Sequence, residues 1–164
     1  VGHVVEPLLK QLSAATGETA SFYVRQEDKR IALFRTEPAR AVRAAVQIGQ
    51  EYAITQGASG KVLLAFSDER NAVYAEIRNR LWAVSYGERD PETASVAAPV
   101  FGISGDLQGA LTLSGPRDRL AQPEAMFKAC RQVLEAAKEA TQAMGGGVQI
   151  FVKPLATLTV EQFV

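Results

Sequence analysis

The chain has 164 residues, 47% hydrophobic and 22% charged, a composition typical of one globular domain with a single core. Eighteen basic residues balance eighteen acidic ones, so no general electrostatic attraction for nucleic acid is expected. One cysteine, Cys130, and one histidine, His3, exclude an internal disulfide, zinc-enzyme chemistry and His-based triads, and we expect neither metal nor cofactor. No apolar run approaches the length of a membrane span, and we expect a cytoplasmic protein.

The first third of the chain predicts a helix followed by β-structure. Apolar residues at helical spacing predict a helix over residues 2–16, ended by Gly17. Two β-rich runs, ASFYVRQ (20–26) and RIALFR (30–35), flank a polar Glu-Asp-Lys turn and predict a hairpin. A third extended segment is predicted over RAVRAAVQI (40–48).

Two short helices and three strands are predicted next. The first helix covers residues 61–66, and Ser67 with the two acids after it predicts the start of a second helix that runs to about Arg80. The three strands are LWAVSY (81–86), TASVAAPVF (93–101) and LQGALTLSG (107–115). The last two are joined by Gly-Ile-Ser-Gly-Asp, a sequence typical of turns.

The end of the chain predicts one long helix and a tail. Pro123 begins the helix, which runs to Met144, and three glycines close it. Its apolar residues are spaced by three and four, which predicts packing against another long helix, most simply the first. They are Met126, Cys130, Val133, Ala137, Ala140 and Met144. Residues 148–164 contain a strand-like VQIFV, and nothing in the sequence requires them to join the core. The order of elements predicts an α+β fold with a mostly antiparallel sheet.

The glycine-rich stretch TQGASGKVLLAF (55–66) suggests a phosphate-binding loop. Such a loop needs G-x-x-x-x-G-K-[ST], but Thr55 stands at the first glycine position and Val62 at the hydroxyl position, so it is excluded. A turn of small residues at 57–60 before a helix still exposes backbone N–H groups at the positive end of the helix dipole, which suits a carboxylate. The alternative is a helix start without a ligand, which is the commoner use of such residues.

Two pairs of residues on neighbouring strands are candidate pocket residues. Ser95 and Ala97, and Thr112 and Ser114, are each two residues apart, so each pair lies on one face of a sheet. Their hydroxyls would converge beside apolar Ala97 and Tyr52, in a small-ligand pocket that is mostly apolar with a few placed polar groups. The alternative is that these hydroxyls face solvent, and the spacing does not decide which face is inward.

Five sequence blocks occur in a familiar order: LLKQLSAATGETAS, GQEYAITQGASGKVLLA, VSYGERD, SVAAPVF and LQGALTLSGPRDRL. Together they resemble the ligand-sensing C-terminal domain of IclR-type bacterial transcription regulators. The resemblance implies a GAF-like fold, a mostly antiparallel sheet flanked by helices, with an effector-binding domain over residues 1–147 and a tail of unknown role over 148–164. It also implies a homo-oligomer, dimer or tetramer, that binds DNA only through an N-terminal winged helix-turn-helix lying outside this chain.

The residues and the resemblance together predict a sensor of a small organic acid that controls transcription and is not an enzyme. The predicted ligand-binding residues are Tyr52, Ala58, Ser59, Gly60, Ser95, Ala97, Thr112 and Ser114. One alternative is a dimerisation or scaffold domain with a collapsed pocket. A second is a hydrolase that uses Ser59 and Lys61, which is disfavoured because residues two apart lie on different faces of a helix.

Several positions depart from the family pattern or have a structural interpretation. The segment from Ala65 to Gly87 is shorter than in typical members, and Leu81 stands where glycine is usual, so we expect a reshaped pocket wall. Lys61 is expected to have a structural role, either pairing with Glu88 or another acid or capping the turn. We expect His3 to be exposed, Cys130 to be a core residue and Trp82 to anchor packing.

Overall fold

The computed structural model describes residues 1–38, 49–67 and 71–164. In chain order it contains α1 (Gly2–Thr16), β1 (Thr19–Gln26), β2 (Lys29–Thr36), β3 (Glu51–Ala53), α2 (Ala58–Ala65), α3 (Ala75–Arg80), β4 (Ala83–Tyr86), β5 (Thr93–Phe101), β6 (Leu107–Pro116), α4 (Arg117–Leu120), α5 (Pro123–Ala143) and α6 (Val152–Thr157). Short 3-10 helices cover Ala72–Tyr74, Gln149–Phe151 and Val160–Phe163. The extended segment predicted over residues 40–48 lies outside the described residues.

The described strands form one antiparallel sheet in the order β3-β2-β1-β6-β5-β4. The predicted turn joins β5 and β6, with Ser95 opposite Ser114 and Ala97 opposite Thr112. On its other side β6 pairs with β1, where Thr112 lies opposite Ser21. Since paired residues share a face, both predicted pairs project from the same side of the sheet.

Helices cover both faces of the sheet. On one face, α1 and α5 pack against alternate residues of the central strands, among them Phe22, Val96 and Leu111. On the other face, α2 and α3 lie over Tyr23 and Ala97. The predicted hydroxyls therefore lie under α2 and not on an open sheet surface.

The long helix α5 agrees with the prediction. Its apolar stripe is fully buried except for Met144, which is half-buried, and the helix contacts α1 as well as β5. Cys130 lies within this stripe, and burial raises the pKa of its thiol. His3 is exposed near the chain start, as expected. The spacing of three and four thus identified the buried face of α5 correctly.

The helix α2 begins earlier than predicted. It starts at Ala58 and not at Lys61, with Gly57 as its N-cap at φ 90° and ψ 162°. This φ lies in the region that favours glycine. A Cβ on Gly60 would stand 2.0 Å from the carbonyl oxygen of Ile54, so the backbones approach too closely for any side chain. The small residues therefore form the first turn of the helix, where the prediction placed a preceding loop.

The prediction that Ser67 begins a helix running to Arg80 is wrong. The Ser67 hydroxyl donates to the carbonyl oxygen of Leu64 at the end of α2. The next helical turn begins at Ala72, and the side chain of Asn71 caps it by accepting from the Val73 N–H. Residues 68–70 lie outside the described residues, and the first helix cap described after Ser67 is Asn71.

Leu81 ends α3 in an unusual backbone conformation. Its φ is 66°, in the left-handed region, and its side chain is fully buried. This is the position at which the sequence replaces the glycine usual in the resembled family. Leu81 therefore takes a conformation that glycine adopts freely, at an energy cost that burial of its side chain offsets.

The tail packs against the rest of the protein, and the strand-like interpretation of VQIFV is wrong. Residues 149–157 are helical, with Phe151, Leu155 and Leu158 recurring at helical spacing and directed inward. Near the chain end, Phe163 stacks on Trp82 with 4.8 Å between ring centroids. Trp82 is thus a packing anchor, as expected, and its partner is the tail.

Truncating Phe163 tests the contribution of the tail to stability. We expect Phe163→Ala to lower the free energy of unfolding by about 3 kcal/mol, because it removes a buried ring and its stacking on Trp82. Chemical denaturation measures the change. The neighbouring Val164, 94% exposed, supplies the control, and Val164→Ala should leave the midpoint unchanged. Equal midpoints for both variants would show that the Phe163 ring contributes nothing to stability.

Candidate functional site

A cavity lies between the amino end of α2 and the sheet face beneath it. Its lining residues are Tyr23, Arg30, Gly57, Ala58, Ser59, Ser85, Arg89, Asp90, Thr93, Ser95, Thr112 and Ser114. They come from five strands, the start of α2 and the loop after β4. The cavity volume is about 30 Å³, enough for one or two water molecules but not for an organic acid without movement of its walls.

The structure places the predicted site residues in two groups. Ala58, Ser59, Ser95, Thr112 and Ser114 line the cavity. The other three, Tyr52, Gly60 and Ala97, do not. The lining is mostly polar, whereas the sequence predicted a mostly apolar pocket.

The three predicted residues that do not line the cavity pack near its walls. Gly60 packs against the backbone of Ile54, and Ala97 is fully buried beneath α2. The ring of Tyr52 lies 4.9 Å from the Arg30 guanidinium and 4.8 Å from that of Arg89. Tyr52 therefore contacts two residues of the cavity wall without lining it.

Hydroxyl groups cross the floor of the cavity in a row. Ser85 of β4 lies opposite Ser95 of β5, and Ser95 lies opposite Ser114 of β6. We call these three residues the hydroxyl row. Side chains directly opposite each other on antiparallel strands are neighbours on the same face. The row therefore presents three adjacent groups that can donate and accept hydrogen bonds.

Thr112 adds a hydroxyl without a partner. Its side chain is 4% exposed, and among the described residues its Oγ1 has no hydrogen-bond partner. Buried hydroxyls in native proteins are nearly always hydrogen-bonded. Because Thr112 lines the cavity, a molecule inside the cavity is the natural partner for this hydroxyl.

Arg30 is a buried cation that the sequence pattern did not identify as a site residue. It is 3% exposed, its Nε donates to the carbonyl oxygen of Gln56 at 3.1 Å, and its guanidinium lies 4.6 Å from the ring centroid of Tyr23. No carboxylate within the described part of the chain forms an ion pair with it. Burial lowers the pKa of the guanidinium, Tyr23 raises it, and the nearby positive charge of Arg89 lowers it again.

The amino end of α2 has free backbone donors. The first three residues of a helix have no intrahelical acceptor for their N–H groups, and no side chain among the described residues caps α2. The preceding Gly57 N–H donates to the Glu88 carboxylate at 3.2 Å. The N–H groups of Ala58, Ser59 and Gly60 thus belong to the unpaired first turn of a helix whose amino end borders the cavity.

Lys61 has the structural role expected of it. Its Nζ forms an ion pair with Glu88 and donates to the carbonyl oxygen of Val84 at 2.8 Å. The Glu88 carboxylate thereby joins the loop after β4 to the start of α2. The Lys61 amino group is bonded to Glu88 and Val84 and not to Ser59. The geometry therefore offers no support for a Ser–Lys catalytic pair.

The charged groups that line the cavity favour an anion. Two guanidinium groups and one carboxylate, those of Arg30, Arg89 and Asp90, give a net charge of two minus one, or plus one. The Asp90 oxygens accept from the Glu92 N–H at 3.0 Å and the Thr93 hydroxyl at 3.3 Å. With the positive end of the α2 dipole at the same place, the site suits a small negatively charged group.

Comparison with known proteins identifies the family. The family described as bacterial transcriptional regulator IclR C-terminal matches residues 1–75 and 71–142. The chain belongs to the IclR family. It is 30% identical to the HTH-type transcriptional regulator BhcR of Paracoccus denitrificans, over 84% of this chain and 58% of that protein. It is 28% identical to the DNA-binding transcriptional repressor YiaJ of Escherichia coli, over 73% of this chain and 52% of that protein.

Solved structures agree with this assignment. The C-terminal domain of a Vibrio cholerae transcriptional regulator is 27% identical with a TM-score of 0.74, over 84% of this chain and 94% of that one. The IclR protein of Thermotoga maritima is 20% identical and matches in fold, with a TM-score of 0.80 over 88% of this chain and 68% of that one. The predicted GAF-like α+β fold is confirmed.

The chain corresponds to only part of the relatives it matches. This IclR-family chain spans about half the length of the curated relatives it matches, 58% and 52% of theirs. Those relatives are a transcriptional regulator and a transcriptional repressor. Within residues 1–38, 49–67 and 71–164, no helix has the length and apolar character needed to cross a bilayer.

Proposed function

We propose that this IclR-family domain senses a small organic acid and, as the oligomerising part of a transcription regulator, signals to a DNA-binding domain outside this chain. The observation that carries the proposal is Arg30, a buried cation without a carboxylate partner among the described residues, at the wall of a cavity that also receives the amino end of α2. The proposal assigns no catalytic step to the domain.

The position of Arg30 relative to α2 supports a carboxylate ligand. A Cβ on Gly57 would stand 3.0 Å from an Nη atom of Arg30, so the guanidinium lies against the amino end of the helix. Two positive groups, the guanidinium and the helix dipole, are thus held together in a partly water-excluded place. A carboxylate in the cavity would interact favourably with both and accept hydrogen bonds from the free N–H groups.

The small cavity implies that binding moves its walls. With a volume of about 30 Å³, the cavity has to widen before an organic acid enters, which requires displacement of side chains or of α2. A ligand that binds the widened arrangement better than the closed one shifts the balance between them. Coupling of this kind is typically about 1–3 kcal/mol, sufficient to regulate a DNA-binding domain.

The same small volume favours a second candidate, an oligomerisation domain whose pocket stays closed. A thermal-shift screen of acids against their neutral amides, such as lactate against lactamide, separates the two. The acid at a hundred times its dissociation constant should stabilise the protein by about 2.7 kcal/mol, and the amide much less. No stabilisation by any small acid, together with an oligomer in sedimentation, would favour the second candidate.

One variant tests whether the hydroxyl row contributes to binding. We expect Ser114→Ala to weaken binding of the acid found in the screen by about 1 kcal/mol, the typical value of one neutral hydrogen bond. Calorimetry measures the dissociation constants. Ser13→Ala is the control, since it makes the same serine-to-alanine change on α1, across the sheet, at a buried hydroxyl without a hydrogen-bond partner among the described residues. If both variants bind like the parent, the ligand does not reach β6.

A further inference from the structure

We infer that the ligand is a hydroxylated carboxylic acid, of the class that includes glycerate and threonate, and that its hydroxyls are bound by Thr112 and the β6 end of the hydroxyl row. The inference rests on the proposed function, because it concerns the same cavity and takes the carboxylate to lie near Arg30. It adds the chemistry of the rest of the ligand.

The cavity wall is rich in hydroxyl groups. Besides the charged residues, it consists largely of side chains with aliphatic hydroxyls: Ser59, Ser85, Thr93, Ser95, Thr112 and Ser114. Thr93 donates to Asp90 and Ser85 accepts from the Glu88 N–H, whereas the buried Thr112 hydroxyl has no partner among the described residues. An alkyl or aromatic acid would place apolar surface against this wall and leave such a hydroxyl without a partner, which is unfavourable. A ligand with its own hydroxyls replaces the lost water contacts.

The order of the strands separates Arg30 from the hydroxyl row. Arg30 is on β2, whereas the hydroxyl row runs over β6, β5 and β4, on the other side of β1 in the sheet. Neighbouring strands are about 4.8 Å apart, so the row spans roughly 10 Å from Ser114 to Ser85. A ligand held by its carboxylate at Arg30 and the start of α2 therefore extends its carbon chain towards the row.

Thr112 has a buried hydroxyl beside the hydroxyl row. It neighbours the row, being two residues before Ser114 on β6, and its buried Oγ1 has no partner among the described residues. A hydroxyl needs a partner that can accept or donate, and a ligand hydroxyl can do both. An alkyl carbon at this position would leave Thr112 unpaired, which makes this side chain the best point at which to test the ligand class.

Pairs of acids with equal carbon chains test the inference. Calorimetry on the unmodified protein compares propionate with glycerate and butyrate with threonate. We expect each hydroxylated acid to bind on the order of tenfold tighter than its alkyl counterpart, or more. Alkyl acids that bind equally well or better would overturn the hydroxylated class and leave the acid-sensing function intact. Binding of none of the four acids would count against the proposed function itself, and this inference would fail with it.

The variant Thr112→Val tests whether Thr112 causes the preference for hydroxylated acids over alkyl acids. Valine keeps the shape of threonine and removes its unpaired hydroxyl, so the variant should fold with an unchanged or higher melting temperature. We expect threonate to bind roughly tenfold more weakly and butyrate to bind as before, with Ser13→Ala as the control. An equal loss for both acids, or no loss for threonate, would overturn the role of Thr112.

Discussion

Replacing Arg30 by Gln is expected to weaken binding of a small carboxylate by about 3 kcal/mol, roughly a hundredfold in Kd. The guanidinium is buried at the cavity wall, and the structure shows no carboxylate partner for it in the described residues. Glutamine keeps a donor that can reach the Gln56 carbonyl but carries no charge. Calorimetry with the acid that binds best measures the loss.

The control for this variant lies directly across the hairpin. Arg25 is opposite Arg30 in the register of β1 and β2 but is exposed, so Arg25→Gln makes the same change of charge outside the cavity. It should leave binding nearly unchanged. Removing a buried charge that has no carboxylate partner among the described residues relieves a desolvation penalty, which offsets the lost contacts with the Tyr23 and Tyr52 rings. Arg30→Gln should therefore change the melting temperature of the free protein little. A folded Arg30→Gln protein that binds as tightly as the parent would place the carboxylate elsewhere.

Replacing Gly60 by Ala is expected to lower the free energy of unfolding by about 3 kcal/mol. The added Cβ would stand 2.0 Å from the carbonyl oxygen of Ile54, a backbone atom that cannot rotate away, so α2 has to shift on the sheet. Since α2 forms one wall of the cavity, acid binding should weaken as well. Chemical denaturation and calorimetry measure the two effects.

Gly147→Ala is the matched control for Gly60→Ala. Nothing lies within 4 Å of a Cβ at Gly147, and its φ is not in the left-handed region. This variant should unfold at the same denaturant concentration as the parent. Similar midpoints for the two variants would mean that α2 and the Ile54 carbonyl approach each other less closely than the structure shows.

The sequence predicted the elements whose periodicity is long and uninterrupted. The stripe of α5 repeats over the whole helix, and the β5–β6 hairpin has alternating residues and a recognisable turn, so Ser95, Thr112 and Ser114 were placed together on one face. The starts of short helices were less predictable. In α2, small residues that serve equally well in a turn form the first helical turn, because Gly60 packs on the sheet-side backbone of Ile54.

Arg30 could not be predicted because the register of the first hairpin is irregular. The pairing of β1 and β2 shifts between Phe22 and Tyr23, so that Phe34 lies opposite Phe22 and Ala32 opposite Tyr23. Simple alternation along RIALFR therefore fails to show which residues face inward. A charged residue in such a run is ordinarily assigned to solvent, and only the folded structure brings Arg30 beneath the amino end of α2.

The two outermost of the described strands are short. β3 has three residues and β4 has four, so each offers only a few backbone groups to a strand from another molecule. Short edge strands are one of the ways in which proteins prevent uncontrolled sheet extension. As far as the described strands go, these edges therefore offer little for joining sheets edge to edge.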